Sequence, residues 1–230
     1  METLKEPDTQ GRRENSEQIT GVILSGGVGT RMNGIKKGFL CYEGNAFIER
    51  ARLALADCGE VCLSAPLGAA AEYADTGLRV IEDLRAGIGP LAGIEAALTY
   101  LGGAVFLPCD MPFILKTHVA LLLDDFKKHG KPVFFAEATA PHMAGQEQTA
   151  CPNPLAGIYT ADCLPLIQEA IAEKRYKVRL LLSQIQHRLV HMEASVMRNI
   201  NSPEDYNAYC KTRAELPKFT EHRKEREEIV

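Results

Sequence analysis

A chain of 230 residues has room for one large α/β domain, or less comfortably two small ones. With 46% hydrophobic and 24% charged residues it has the balance of a soluble globular protein able to bury a sizeable core. Its formal charge of −4 argues against DNA or RNA as the main partner, because phosphate backbones demand a cationic surplus, yet it leaves room for a local basic pocket.

The seven cysteines are Cys41, Cys58, Cys62, Cys109, Cys151, Cys163 and Cys210. Their number is odd, no C-x-x-C pair occurs, and Cys58/Cys62 has no matching pair downstream, so they read as reduced thiols, mostly in the core, and not as a zinc site. No apolar run is long enough to span a membrane. The first eighteen residues lack the apolar centre of a secretory signal. The expected location is the cytoplasm, with neither membrane nor nucleic acid as partner.

Residues 1–18 carry only Met1 and Leu4 as large apolar groups, which predicts a disordered segment. One domain is expected over 19–213, followed by a charged tail at 214–230. Within the domain, Ile19–Ser25 reads as a first strand. The segment 46–58 places Ile48, Ala51, Leu55 and Cys58 on one helical face. Strands follow at Val61–Ser64 and Leu78–Ile81. The helix of GPLAGIEAALTYL begins with Pro90 in its first turn. Ala104–Leu107 is a strand closed by Pro108, and Val119, Leu122, Leu123 and Phe126 mark the next helix. Strands at Pro132–Ala136 and Leu155–Tyr159 flank a polar loop at 137–153. Helices at 161–173, 177–185 and 203–213 and a strand at 188–193 complete the pattern. Strands alternating with helices predict a three-layer α/β fold: a mostly parallel sheet with helices on both faces, related to the Rossmann type. Ligands of such sheets bind beyond the carboxyl ends of the strands.

Three groups of residues fall there, Gly26–Lys37, Asp83 and Asp110, and a fourth group of polar residues stands at 199–203. The run Leu24-Ser25-Gly26-Gly27-Val28-Gly29-Thr30-Arg31-Met32, followed by Lys37, offers backbone N–H groups to phosphate oxygens, with Arg31 and Lys37 to neutralise them. No acidic residue occurs between Ser25 and Tyr42. The run is not a Walker A loop, since Ile35 and Lys36 follow Gly34, and Met32 replaces the third glycine of the Rossmann fingerprint. Asp110, in Pro108-Cys109-Asp110-Met111-Pro112, suits a Mg²⁺ ligand on a rigid strand end, although alone it would read as a turn residue. Asp83 precedes Gly89-Pro90-Leu91-Ala92-Gly93, where a carboxylate and close backbone approach could meet a ligand, although turn chemistry accounts equally well for these residues in isolation. In Asn199-Ile200-Asn201-Ser202-Pro203, Ser202 or Asn201 can cap a helix, while alternation puts Asn199 and Asn201 on one face.

Taken together, LSGGVGTRMNGIKK, IED, GPLAGI, PCDMP and NINSPED resemble, in the same order, the motifs of the MobA family of molybdenum cofactor guanylyltransferases, over about residues 19–210. Asn33 stands where the family has the first glycine of a pair, and Lys36 where it has aspartate. The resemblance implies a Rossmann-like nucleotidyltransferase fold that transfers GMP from GTP to the terminal phosphate of the molybdopterin cofactor, using Mg²⁺. It implies nucleotide contacts at Leu24, Ser25, Gly26, Gly27, Lys37, Ser64, Asp83 and Asp110, metal binding at Asp110, and catalytic roles for Arg31, Lys37 and Asp110. Gly89, Gly93, Asn199 and Asn201 are candidates for the acceptor side. GTP, the molybdopterin cofactor and carrier or acceptor proteins are the implied partners. The rival readings are a relative using CTP or another phosphorylated acceptor, and a nucleotide- or pterin-binding protein without catalysis.

Overall fold

The structure, a computed structural model, describes residues 18–26, 36–138 and 151–210. The segment expected to be disordered (apart from Gln18), the centre of the glycine-rich loop with Gly27 and Arg31, most of the polar loop and the charged tail lie outside these residues.

Seven strands form one sheet: β1 (Thr20–Leu24), β4 (Val61–Ala65), β5 (Arg79–Glu82), β6 (Ala104–Pro108), β7 (Val133–Glu137), β8 (Cys151–Tyr159) and β9 (Arg188–Met192). Their order is β5-β4-β1-β6-β8-β7-β9. All pairings are parallel except those of β8, which runs antiparallel to both β6 and β7. The chain moves outward from β1 through β4 to β5, then returns to place β6 on the other side of β1. The carboxyl ends of β1 and β6 therefore flank the reversal of strand order, where crevices form in such sheets. A separate hairpin pairs β2 (Cys41–Tyr42) with β3 (Asn45–Ala46).

The strands are nearly continuous apolar runs because both faces are covered. On one face Ile23, Leu63, Val105, Leu107 and Phe135 pack against α1 (Phe47–Ala54) and α3 (Lys116–His129). On the other, Val22, Leu24, Phe106 and Phe134 pack against α2 (Pro90–Leu101), α4 (Leu164–Ala172) and α5 (Val178–Leu182). Side chains of successive strand residues alternate between these two cores, as the pleat requires. Among the described residues no helix is long and apolar enough to cross a membrane.

Several boundaries differ from the sequence expectation. The face of Ile48, Ala51, Leu55 and Cys58 is buried throughout, but α1 ends at Ala54 and Leu55–Cys58 continue as turns. The helix expected from 161 opens with a 3₁₀ turn, Ala161–Cys163, and the one expected at 177–185 covers only Val178–Leu182. Strand β8 begins four residues before Leu155, because its first half contains Pro152 and Pro154 and pairs with β7 across a register shift, where prolines are tolerated. The last helix, α6 (Pro203–Cys210), brings the chain back over the carboxyl ends: the Tyr206 hydroxyl donates to the Cys41 carbonyl at 2.7 Å, and its ring meets Phe47.

Candidate active site

Backbone hydrogen bonds carry the ladder one step past the strand ends. Ser25 N–H donates to the Ser64 carbonyl (3.2 Å), Cys109 N–H to the Leu24 carbonyl (3.1 Å) and Asp83 N–H to the Ala65 carbonyl (2.9 Å). Ser25, Ser64, Asp83 and Asp110 thus lie along one edge of the sheet, Ser25, Ser64 and Asp110 held by strands buried on both faces and Asp83 by the edge strand β5. Rigid strand ends hold functional groups better than free loops do.

At the centre of this edge three distant segments meet. Lys37, which opens a 3₁₀ turn (Lys37–Phe39), donates from Nζ to Asp110 Oδ2 at 3.1 Å and to Asn201 Oδ1 at 2.6 Å. The side chains of Lys37 and Asp110 are 25% and 22% exposed, so the pair is neither in the core nor freely hydrated. Asn201 is brought there by Ile200, which is fully buried against Leu40 and Phe47 and whose N–H donates to the Asp110 carbonyl at 2.8 Å. The cap of α6 is Ser202: its hydroxyl accepts from Asp205 N–H, while Asp205 Oδ2 accepts from the N–H groups of Asn201 and Ser202. Helix capping therefore leaves the Asn201 amide free to engage Lys37. Asp110 likewise does not cap the following helix, whose N-cap is Leu115.

A second group lies across β1, over β4 and β5. Ser64 is buried, and its hydroxyl lies beside the Asp83 carboxyl. Burial pushes the Asp83 carboxyl up to about 6, the Ser64 hydroxyl opposes the rise, and the neighbouring Glu82 charge adds to it. Gly93 makes this packing possible. A Cβ there would stand 2.3 Å from Ser64 Oγ, 3.3 Å from Asp83 Oδ1 and 3.4 Å from Leu24 Cδ2. Gly89, the N-cap of α2, is exposed.

The structure thus brings together Leu24, Ser25, Gly26, Ser64, Asp83 and Gly93 on one side, and Lys37, Asp110 and Asn201 on the other. Asn199 shares the exposed face of its extended segment with Asn201 while Ile200 points inward, but of the two only Asn201 reaches Lys37. Two features escaped the sequence reading. One is Tyr73, whose hydroxyl meets Ser25 from 48 residues away and which sits in a segment without helical or strand periodicity. The other is the pairing of Arg85 with Glu95 at 3.0 Å. Glu95 is 1% exposed, and a lone carboxylate within the apolar run GIEAAL was the signal that a buried charge needed a partner.

An open, mostly parallel sheet that gathers the first residues of a glycine-rich run, a lysine and a carboxylate at its switch point defines a nucleotide-binding α/β protein. The chain belongs to the family described as the MobA-like NTP transferase domain, whose profile matches residues 21–189, and is a nucleotidyltransferase. It is 32% identical over 189 residues, 81% of this chain and 88% of the relative, to a probable molybdenum cofactor guanylyltransferase of Clostridium perfringens. A relative of the same description from Flavobacterium johnsoniae is 32% identical over 196 residues, 83% of this chain and 96% of its own length. Among solved structures, the molybdopterin-guanine dinucleotide biosynthesis protein A of Archaeoglobus fulgidus superposes with a TM-score of 0.67 at 23% identity, covering 83% of this chain and 96% of that one, which shows the shared fold.

Proposed function

We propose that this protein transfers GMP from GTP to the terminal phosphate of the molybdopterin cofactor, releasing pyrophosphate. The observation that carries the reading is the meeting of Lys37, Asp110 and Asn201 over the switch point, beside the first residues of the glycine-rich run. The family and the names of its relatives supply the nucleotide and the acceptor.

In this reading a terminal phosphate oxygen of the pterin attacks the α-phosphorus of GTP. A new P–O bond forms as the bond from the α-phosphorus to the bridging oxygen of pyrophosphate breaks. The nucleophile is already an anion at neutral pH, so no general base is needed, and catalysis reduces to positioning and charge neutralisation. Lys37 presents an ammonium to the phosphates, oriented by Asp110 and Asn201. Leu24, Ser25 and Gly26 supply backbone groups, and Arg31 a second cation. Ser64 and Asp83 hold the nucleotide on the other side of β1, where a carboxylate accepts from guanine N1–H and N2–H. Gly89 and Asn199 are left for the acceptor side, whereas Gly93 packs against Ser64 and Asp83 on the nucleotide side.

The donor set near Lys37 suits Mg²⁺: the Asp110 carboxylate and the Asn201 amide oxygen are hard oxygen donors, partly exposed, and a magnesium ion takes few protein ligands and completes its shell with phosphates and water. Asp110 would hold it. When bound, the ion neutralises charge that builds on the departing pyrophosphate. The reading places the reaction in the cytoplasm, with carrier or acceptor proteins receiving the product.

The test is a calorimetric titration with GTP, CTP and ATP in the presence of Mg²⁺. GTP should bind most tightly, since each buried acceptor left unpaired by cytosine costs ~1–3 kcal/mol. Equal affinities, or tighter CTP binding, overturn the guanylyl assignment.

A further inference from the structure

We propose that Tyr73 is a positioning residue for nucleotide binding, a single buried side chain on which both feet of the glycine-rich loop are fastened. The inference rests on the nucleotidyl-transfer reading above and names a residue that reading does not use.

Tyr73 lies in a 3₁₀ segment, Ala70–Thr76, between β4 and β5, and is 3% exposed. The segment is itself anchored, because Ala70 N–H donates to Glu82 Oε1 at 2.8 Å and the Thr76 hydroxyl donates to the Tyr73 carbonyl at 2.6 Å. At the first foot, the Tyr73 hydroxyl donates to the Ser25 carbonyl at 3.1 Å and meets Ser25 Oγ at 3.3 Å. At the second foot, the Phe39 ring stacks on Tyr73 with centroids 5.8 Å apart and planes 20° from parallel. Lys36 Nζ sits 5.1 Å above the same ring and pairs with Glu72. The two feet also touch directly at Gly38, where a Cβ would stand 3.0 Å from Ser25 Oγ and 2.6 Å from Ile48 Cδ1.

Two consequences follow from chemistry. Burial raises the hydroxyl above the ordinary tyrosine range, so Tyr73 remains a protonated donor to the Ser25 carbonyl wherever the enzyme works. The ring and Glu72 also separate two adjacent lysines. Lys36, which stands where the family has aspartate, is turned toward Tyr73 and Glu72, and Lys37 alone turns to Asp110 and Asn201. Groups held in place before ligand arrives lose less freedom on binding, and Ser25 and Lys37, on either side of Tyr73's contacts, are groups the proposed nucleotide meets.

The test is Tyr73→Phe, which keeps the ring, its burial and the Phe39 stacking while removing both hydroxyl contacts. KM for GTP should rise about tenfold, as expected for losing hydrogen bonds of ordinary net strength. KM for the pterin acceptor should stay near the wild-type value, and the melting temperature should fall by no more than a few degrees, the ordinary worth of a lost hydrogen bond. Phe39→Leu, which loosens the other foot, should give the same split between the two KM values. Unchanged KM for GTP in both variants overturns the proposal, and so does a parallel rise in both KM values with a fall in melting temperature, which would mark general loosening. Wild-type turnover is measured alongside. A wild type that neither binds NTP nor releases pyrophosphate removes the nucleotidyl-transfer reading and the role of Tyr73 with it, whereas an active wild type matched by both variants removes Tyr73 alone.

Discussion

Gly93→Ala isolates the packing of the Ser64–Asp83 pair. In the interior of a helix this substitution ordinarily stabilises by roughly 0.5–1 kcal/mol, because alanine loses less backbone freedom on folding. Here the new methyl would arrive 2.3 Å from Ser64 Oγ, well inside van der Waals contact. Ser64 is 2% exposed on a central strand, so its hydroxyl has little room to move aside. Overpacking of this kind costs about 1–3 kcal/mol. Set against the helical gain, a net loss of about 1 kcal/mol is expected, or roughly 2–4 °C in melting temperature at this chain length. A Ser64 hydroxyl pushed off the Asp83 carboxyl no longer opposes its rise, so the carboxyl should also titrate above its present value of about 6. Thermal melting with and without GTP reads the loss of stability, and the stabilisation by GTP should shrink as well. A Gly93→Ala protein that melts at or above the wild-type temperature and binds GTP as tightly would refute the reasoning.

Lys37→Ala should weaken GTP binding by ~1.5–3 kcal/mol, the worth of a charge-assisted contact, without unfolding the protein; calorimetry beside circular dichroism checks both parts. Asp110→Asn should abolish Mg²⁺-dependent turnover while keeping the fold, since an amide can still accept from Lys37 but is a poorer ligand for a hard cation; a pyrophosphate-release assay decides it. The raised Asp83 value favours the protonated folded state, so this group's contribution to stability is complete below the unfolded value of 3.8 and is lost as pH rises through about 6. Asp83→Asn should therefore gain stability over wild type between pH 4 and 7, and GTP affinity of the wild type, which needs the carboxylate, should fall as pH drops through 6. Arg85→Ala strands the buried Glu95 charge and should lower the melting temperature, and Glu95→Gln in the same background should recover much of the loss.

The parts of the fold that were legible in the sequence are those in which each residue's environment repeats. Strands β1, β4 and β6 are buried on both faces and read as apolar runs, the stripes of α1 and α3 recur at helical spacing, and α2, buried from Leu91 to Leu98, was marked by Pro90 in its first turn. The hairpin of β2 and β3 was not legible because two residues per strand make no period. The start of β8 was hidden by Pro152 and Pro154, which belong in a sheet only where the register slips. At the candidate site, Ser25, Lys37, Asp83 and Asp110 could be singled out because strand ends and glycines mark where ligands of such sheets bind. Tyr73 and the Arg85–Glu95 pair were not, since their meaning lies in contacts that only the folded chain creates. Lys36, where the motif departs from its family, acquires a physical account only from Glu72 and the Tyr73 ring.

The central claim is the transfer of a guanylyl group to a pterin phosphate. Purified protein is incubated with GTP, Mg²⁺ and molybdopterin-bound molybdenum, and the cofactor product is measured by mass spectrometry together with released pyrophosphate. The account predicts that the acceptor gains one GMP for each pyrophosphate released, with CTP a poor substitute, and that the Asp110→Asn protein makes no product. Transfer of CMP in preference to GMP, or GTP binding with no pyrophosphate released in the presence of the acceptor, would contradict it.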